Sequence, residues 1–211
     1  MCDRSAPFGY PSLDQIGLPL LLTGLALLCW ASGSVFEHLI WARNDLESGQ
    51  WWRLWSGHLL HSNNAHLLMN LGGLILIFAL HQPHYRFLPM LLLSIAMMAL
   101  ISLGILYWVP GISRYVGLSA LLHGLFTWGA LMDIRVGWRS GYLMLVGVLV
   151  KVGWELVSGG SEDTAALIDA RVAVESHALG VASALALFLP YWGWLSLRHK
   201  AGRAQPLIQS D

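Results

Sequence analysis

Charge is scarce in this chain. Only 11% of its 211 residues are Asp, Glu, Lys or Arg, and the formal net charge is zero, whereas an ordinary soluble domain carries roughly a quarter charged residues. A balance this lean excludes the basic stripe that holds nucleic acid and points to no charged partner of either sign. Cysteine is nearly absent: Cys2 and Cys29 are too few for a disulfide framework or a thiolate metal site. Internal repeats, low-complexity tracts, a glycine-rich phosphate loop and an HExxH metal motif are missing as well.

Apolar residues fill the space. They make up 56% of the chain, and the mean hydropathy is +0.59. The fold class this predicts is an all-α integral membrane protein, because a helix satisfies its own backbone where there is no water. Six stretches reach spanning length, over 16–33, 64–80, 87–109, 115–132, 141–158 and 174–195. They form one membrane domain over 16–195, between tails at 1–15 and 196–211. The second stretch is short, and Trp51, Trp52 and Trp55 just before it suit the headgroup zone. The first reads as a span and not as a cleaved signal, since the tail before it has only Arg4 against Asp3 and Asp14.

Six spans place both termini on one side. That side holds seven basic residues, Arg4, Arg86, Arg135, Arg139, Arg198, Lys200 and Arg203, against Arg43, Arg53, Arg114 and Arg171 opposite. The excess predicts cytoplasmic termini. Lys151 lies inside the fifth span with Glu155 four residues on, a spacing at which the two pair on one helical face. A charge at the bilayer centre costs about 2.5–3.5 kcal/mol, so this pair is expected near the outer end or facing protein.

Nine histidines in so apolar a chain need partners. His38, His81, His84 and His199 fall at or beyond span ends and are expected in interfacial settings. His58, His61, His66, His123 and His177 fall before or within spans. His66 and Asn70 are spaced i, i+4 and stack on one helical face, with His61 just ahead of them. These residues by themselves leave open helix–helix hydrogen bonds or a metal on His58, His61 and His66. In the last span, "ESHALGVASALALF" sets His177 above Gly180, Ser183 and Ala184, small residues that let another helix come close. In "YVGLSALLHG", Gly117 and Ala120 flank Ser119 in the same way. A serine near a histidine is an activated nucleophile, and His66 and Asn70 would donate to an oxyanion. The parts are those of acyl transfer.

The motifs "WR" at Trp52 and Arg53, the His61, His66, Asn70 spacing, "GLSA" at Gly117 to Ala120 and "HALG" at His177 to Gly180 resemble those of rhomboid intramembrane serine proteases. "WRLWSGHLLH" and "GLSALLHG" are most similar to the rhombosortase branch. The resemblance covers about residues 16–195 and implies a six-helix rhomboid-like bundle. It implies that Ser119 and His177 form a catalytic dyad with no acidic third member, and that His66, Asn70 and the Ser119 N–H form the oxyanion hole. Gly117, Leu118, His61, His123 and Gly180 become substrate-binding or packing residues, and Trp52 and Arg53 brace the first outer loop. The implied reaction is hydrolysis in or near a substrate's transmembrane segment, without metal or organic cofactor. Implied partners are the lipid bilayer and membrane-anchored proteins with a C-terminal GlyGly-type sorting signal, at a bacterial inner membrane with the site opening outward. Ala120 and Ala184 stand where the family pattern has glycine. A non-catalytic rhomboid-like binder of membrane helices is the alternative.

Overall fold

The computed structural model describes residues 10–203, without the side chains of 195, 196 and 198–203. Cys2, Arg4 and the outer parts of both expected tails lie outside the described residues. The elements are α1 (Leu13–Ala31), α2 (Phe36–Leu39), β1 (Trp41–Ala42), α3 (Arg43–Glu47), α4 (Arg53–Ser56), α5 (Asn64–His81), α6 (Phe87–Trp108), β2 (Arg114–Tyr115), α7 (Ser119–Arg135), α8 (Ser140–Ser158), α9 (Glu162–Ile168) and α10 (Val174–Arg203). The described residues are mostly helical. One short antiparallel pairing, Trp41 with Tyr115 and Ala42 with Arg114, joins two loops and was not expected from the sequence.

Among the described residues, five stretches are long and apolar enough to cross a membrane: Leu13–Ala31, Asn64–His84, Phe87–Trp108, Ser140–Ser158 and Val174–Trp194. The backbone of α10 continues as helix to Arg203, past the expected end at 195. Helix α7, with 17 residues, lies at the centre and packs against α5, α6, α8 and α10. Small residues make that possible. A Cβ on Gly180 of α10 would stand 2.1 Å from the Ala120 carbonyl oxygen, so the two backbones touch there. Ala120 and Ala184 are both fully buried at this seam, so their methyls are accommodated.

The C-terminal end of α7 corrects one expectation. His81 and His84 do not face an interface: both turn inward to Asp133, with His81 Nδ1 at 3.2 Å and His84 Nε2 at 2.6 Å. Asp133 is itself buried, and a buried carboxylate without such partners would be costly.

The connection between α1 and α5 is held by arginines acting on carbonyls. Arg43 donates to the carbonyls of Ile105, Leu106, Val109 and Ile112, satisfying the last turn of α6 and the loop beyond it. Arg53, buried, donates to Glu37 O, Ile40 O and Gln50 Oε1 and pairs with Asp45 at 3.0 Å. Trp52 stays half-exposed and donates from Nε1 to His38 O. These bonds rigidify the segment on which the next set of contacts rests.

Candidate active site

The positions of the site residues are fixed by a loop crossing. Gly57 touches Trp41 so closely that a Cβ would meet the Trp41 backbone nitrogen at 2.8 Å, and its carbonyl accepts from Gly117 N at 3.2 Å. Tyr115 donates its hydroxyl to Gly117 O at 2.8 Å and packs edge-on against His58. His58 Nε2 in turn contacts Met98 O and Ser102 Oγ on α6. Burial pushes the His58 imidazole down to about 4, only partly opposed by its bond to Met98 O, so at neutral pH it is an uncharged strut. Gly117 leaves this crossing with φ +118°, a conformation that favours glycine, and Leu118 anchors the turn fully buried. Ser119 follows as the first residue of α7, where its N–H has no intrahelical partner and faces the positive end of the helix dipole.

Across from Ser119 stand the starts of α5 and α10. His177 Nε2 lies 3.0 Å from Ser119 Oγ. His66 Nδ1 receives the Ser62 backbone N–H at 3.4 Å, and the Ser62 hydroxyl lies 3.1 Å away. That acceptance puts the ring proton on Nε2, which points at Gly117: a Cβ there would stand 2.7 Å from it. Asn70 Nδ2 is directed to the same spot, buried and without a hydrogen-bond partner. His61 backs the His66 ring edge-on at 5.0 Å. Its burial, with His66 adding to the effect, pushes it down to about 4 and keeps it neutral. Thus a hydroxyl, a basic nitrogen and two donors meet at one point, and one of those donors, Asn70 Nδ2, has no acceptor. Trp52 and Arg53 lie apart from it, in the loop.

The hydroxyl opens on a cavity of about 770 Å³ between α5 and α8, walled by Met69, Leu76, Leu143 and Val148 and floored near Phe126. The segment around α9 covers one rim of it, tied to the residues just before α5 by Ser62 Oγ to Ile168 O and Asn63 Nδ2 to Leu167 O.

One expectation needs correcting. The pair Ser119 and His177 is not free of an acidic neighbour: Glu155 Oε2 of α8 lies 3.0 Å from His177 Nδ1. The charged i, i+4 pair in an apolar span was the signal, and it named the residue but not the helix it meets. Lys151 Nζ bonds Glu155 Oε1 at 2.6 Å and His123 Nε2 at 2.9 Å. His123 stacks on His177, with ring centroids 4.1 Å apart, and its Nδ1 faces Ser119 O rather than Oγ. His123, Glu155 and His177 bring potential metal-ligating atoms within 4.8 Å of one another. The Lys151 ammonium already stands among them as the cation, which argues against a second one there. Of the other three histidines considered for a metal, His58 Nε2 and His66 Nδ1 are engaged by Met98 O and Ser62, while both ring nitrogens of buried His61 have no hydrogen-bond partner.

No protein-family model matches this chain, and no curated protein matches it.

Proposed function

We propose that the chain is an intramembrane serine protease of rhomboid type, in which α7 joins the five long apolar stretches as the fourth of six spans in chain order. The observation that carries this reading is the 3.0 Å contact between Ser119 Oγ and His177 Nε2, set beside unpartnered Asn70 Nδ2 and open to an apolar cavity. A buried donor without an acceptor is costly in a resting protein, by about 1–3 kcal/mol. It becomes useful when an oxyanion forms next to it.

In the proposed reaction Ser119 Oγ attacks the scissile carbonyl carbon as its proton passes to His177 Nε2. The carbonyl electron pair moves onto oxygen, which takes hydrogen bonds from Asn70 Nδ2, His66 Nε2 and the Ser119 N–H. The C–N bond then breaks, and His177 returns the proton to the leaving nitrogen. Water, activated by the same imidazole, releases the acyl group from Ser119. The substrate segment must unwind locally, since a helix keeps its carbonyls in hydrogen bonds. Glycine-rich sequences unwind at least cost, which fits a GlyGly-type C-terminal signal on a membrane-anchored protein. In this reading both termini are cytoplasmic and the cavity rim under α9 faces outward across a bacterial inner membrane.

The test is cleavage of a model substrate carrying such a signal by the purified chain in liposomes. The parent is expected to cut it, and folded Ser119→Ala and His177→Ala variants are expected not to. Undiminished cleavage by either variant refutes the assignment.

A further inference from the structure

Resting on the protease reading, we propose that Glu155 is a positioning residue for His177, and that Lys151 and His123 complete a ring of hydrogen bonds which returns to Ser119. The geometry assigns every proton in that ring. Glu155, ion-paired with Lys151, only accepts, so the 3.0 Å contact between Oε2 and His177 Nδ1 places hydrogen on Nδ1. His177 Nε2 then presents its lone pair to the Ser119 hydroxyl at 3.0 Å, which is the arrangement a general base requires. An ammonium only donates, so at 2.9 Å His123 Nε2 is the acceptor and the His123 proton is on Nδ1. That proton goes to the Ser119 carbonyl oxygen at 2.7 Å. The circuit runs from α7 to α10, to α8, and back to α7.

The ring gives the pair of charges on α8 a purpose. During attack the serine proton moves to Nε2 and His177 becomes an imidazolium, while Glu155 keeps its charge and takes no proton. The carboxylate at Nδ1 stabilises that cation, and the stacked neutral His123 prevents the ring from turning over. The charged and titratable groups around His177 are His66 from α5, His123 from α7, Lys151 and Glu155 from α8, and, lining the smaller cavity on its other side, Arg114 and Tyr115 from β2 and Arg171 from the segment after α9. Among them Glu155 alone is anionic.

The experiment compares the parent with Glu155→Gln, Glu155→Asp and Lys151→Gln on the same liposome substrate, with serine reactivity followed by a fluorophosphonate probe. Glu155→Gln offers His177 an amide that donates as well as accepts. It is expected to lower kcat on the order of 100- to 10,000-fold with KM unchanged. Glu155→Asp, one methylene short but still anionic, is expected to recover part of that loss, and Lys151→Gln to fall between. Nitrogen NMR of the ring-labelled parent in micelles reads the tautomer directly and does not depend on any variant folding. A proton on His177 Nδ1 supports the inference, and a proton on Nε2 overturns it. An active parent with Glu155→Gln at full kcat overturns this inference and leaves the protease reading standing. A parent that neither cleaves nor reacts with the probe overturns both.

Discussion

Among the described glycines, the one with least room for a side chain offers the sharpest perturbation. Gly180 on α10 sits against the Ala120 carbonyl on α7, and a Cβ at this position would stand 2.1 Å from that oxygen. Ordinary contact begins at 3.4 Å, so Gly180→Ala creates a shortfall of about 1.3 Å against backbone, which no side-chain rotation relieves. The helices must separate. Ser119 and His177 lie one residue and three residues from the point of contact, so their 3.0 Å hydrogen bond lengthens toward about 4 Å and is lost. A misplacement of about 1 Å costs on the order of 100-fold in rate, and overpacking adds about 1–3 kcal/mol of destabilisation. The assay is kcat on the liposome substrate together with thermal unfolding in detergent. Gly24→Ala in α1, where an added Cβ meets nothing within 4 Å, is the control and is expected to leave both unchanged. Full cleavage by a Gly180→Ala variant of undiminished stability would refute the link between this contact and the site.

Asn70→Ala removes the unpartnered donor and is expected to lower kcat roughly 100- to 1,000-fold with little change in stability, measured by the same pair of assays. Arg53→Lys is expected to lower the free energy of unfolding almost as far as Arg53→Ala, by about 2–3 kcal/mol, because an ammonium cannot reproduce the fork that holds Glu37 O, Ile40 O, Gln50 and Asp45 together. His58 and His61, each pushed down to about 4 in the fold, bind fewer protons folded than unfolded between pH 4 and 6.5. Stability is therefore full above pH 6.5 and is lost as pH falls toward 4, on the order of 3 kcal/mol for each ring. Unfolding midpoints across that range check this, and His58→Gln with His61→Gln should flatten the slope.

Much of the architecture was legible because a bilayer imposes a simple rule. Long apolar runs become helices, and the expected 87–109 and 141–158 stretches differ from α6 and α8 by a residue or so at each end. The interhelical loop was less legible. Nothing in its local pattern announces that Arg43 will cap α6 or that Trp41 will pair with Tyr115, since both depend on chain segments about 70 residues apart. The misreading of His81 and His84 has the same origin: position at a span end suggested water, while the decisive partner, Asp133, lies on another helix.

The site divides along the same line. His66 and Asn70 could be placed on one face from their spacing, because i, i+4 geometry is intrinsic to a helix. Glu155 could be paired with Lys151 by that rule and no further. Yet the sequence held a second clue, in energy. Two charged residues in an otherwise apolar helix carry an insertion cost of several kcal/mol, and their mutual bond at 2.6 Å could have been dispensed with by making both residues apolar. A chain that keeps both must use at least one of them elsewhere. Here the free carboxylate oxygen reaches His177 Nδ1 and the free ammonium hydrogens reach His123, so neither charge has its whole reason in the other. In an apolar span, a salt bridge that looks self-contained in sequence therefore points to a third partner on a neighbouring helix.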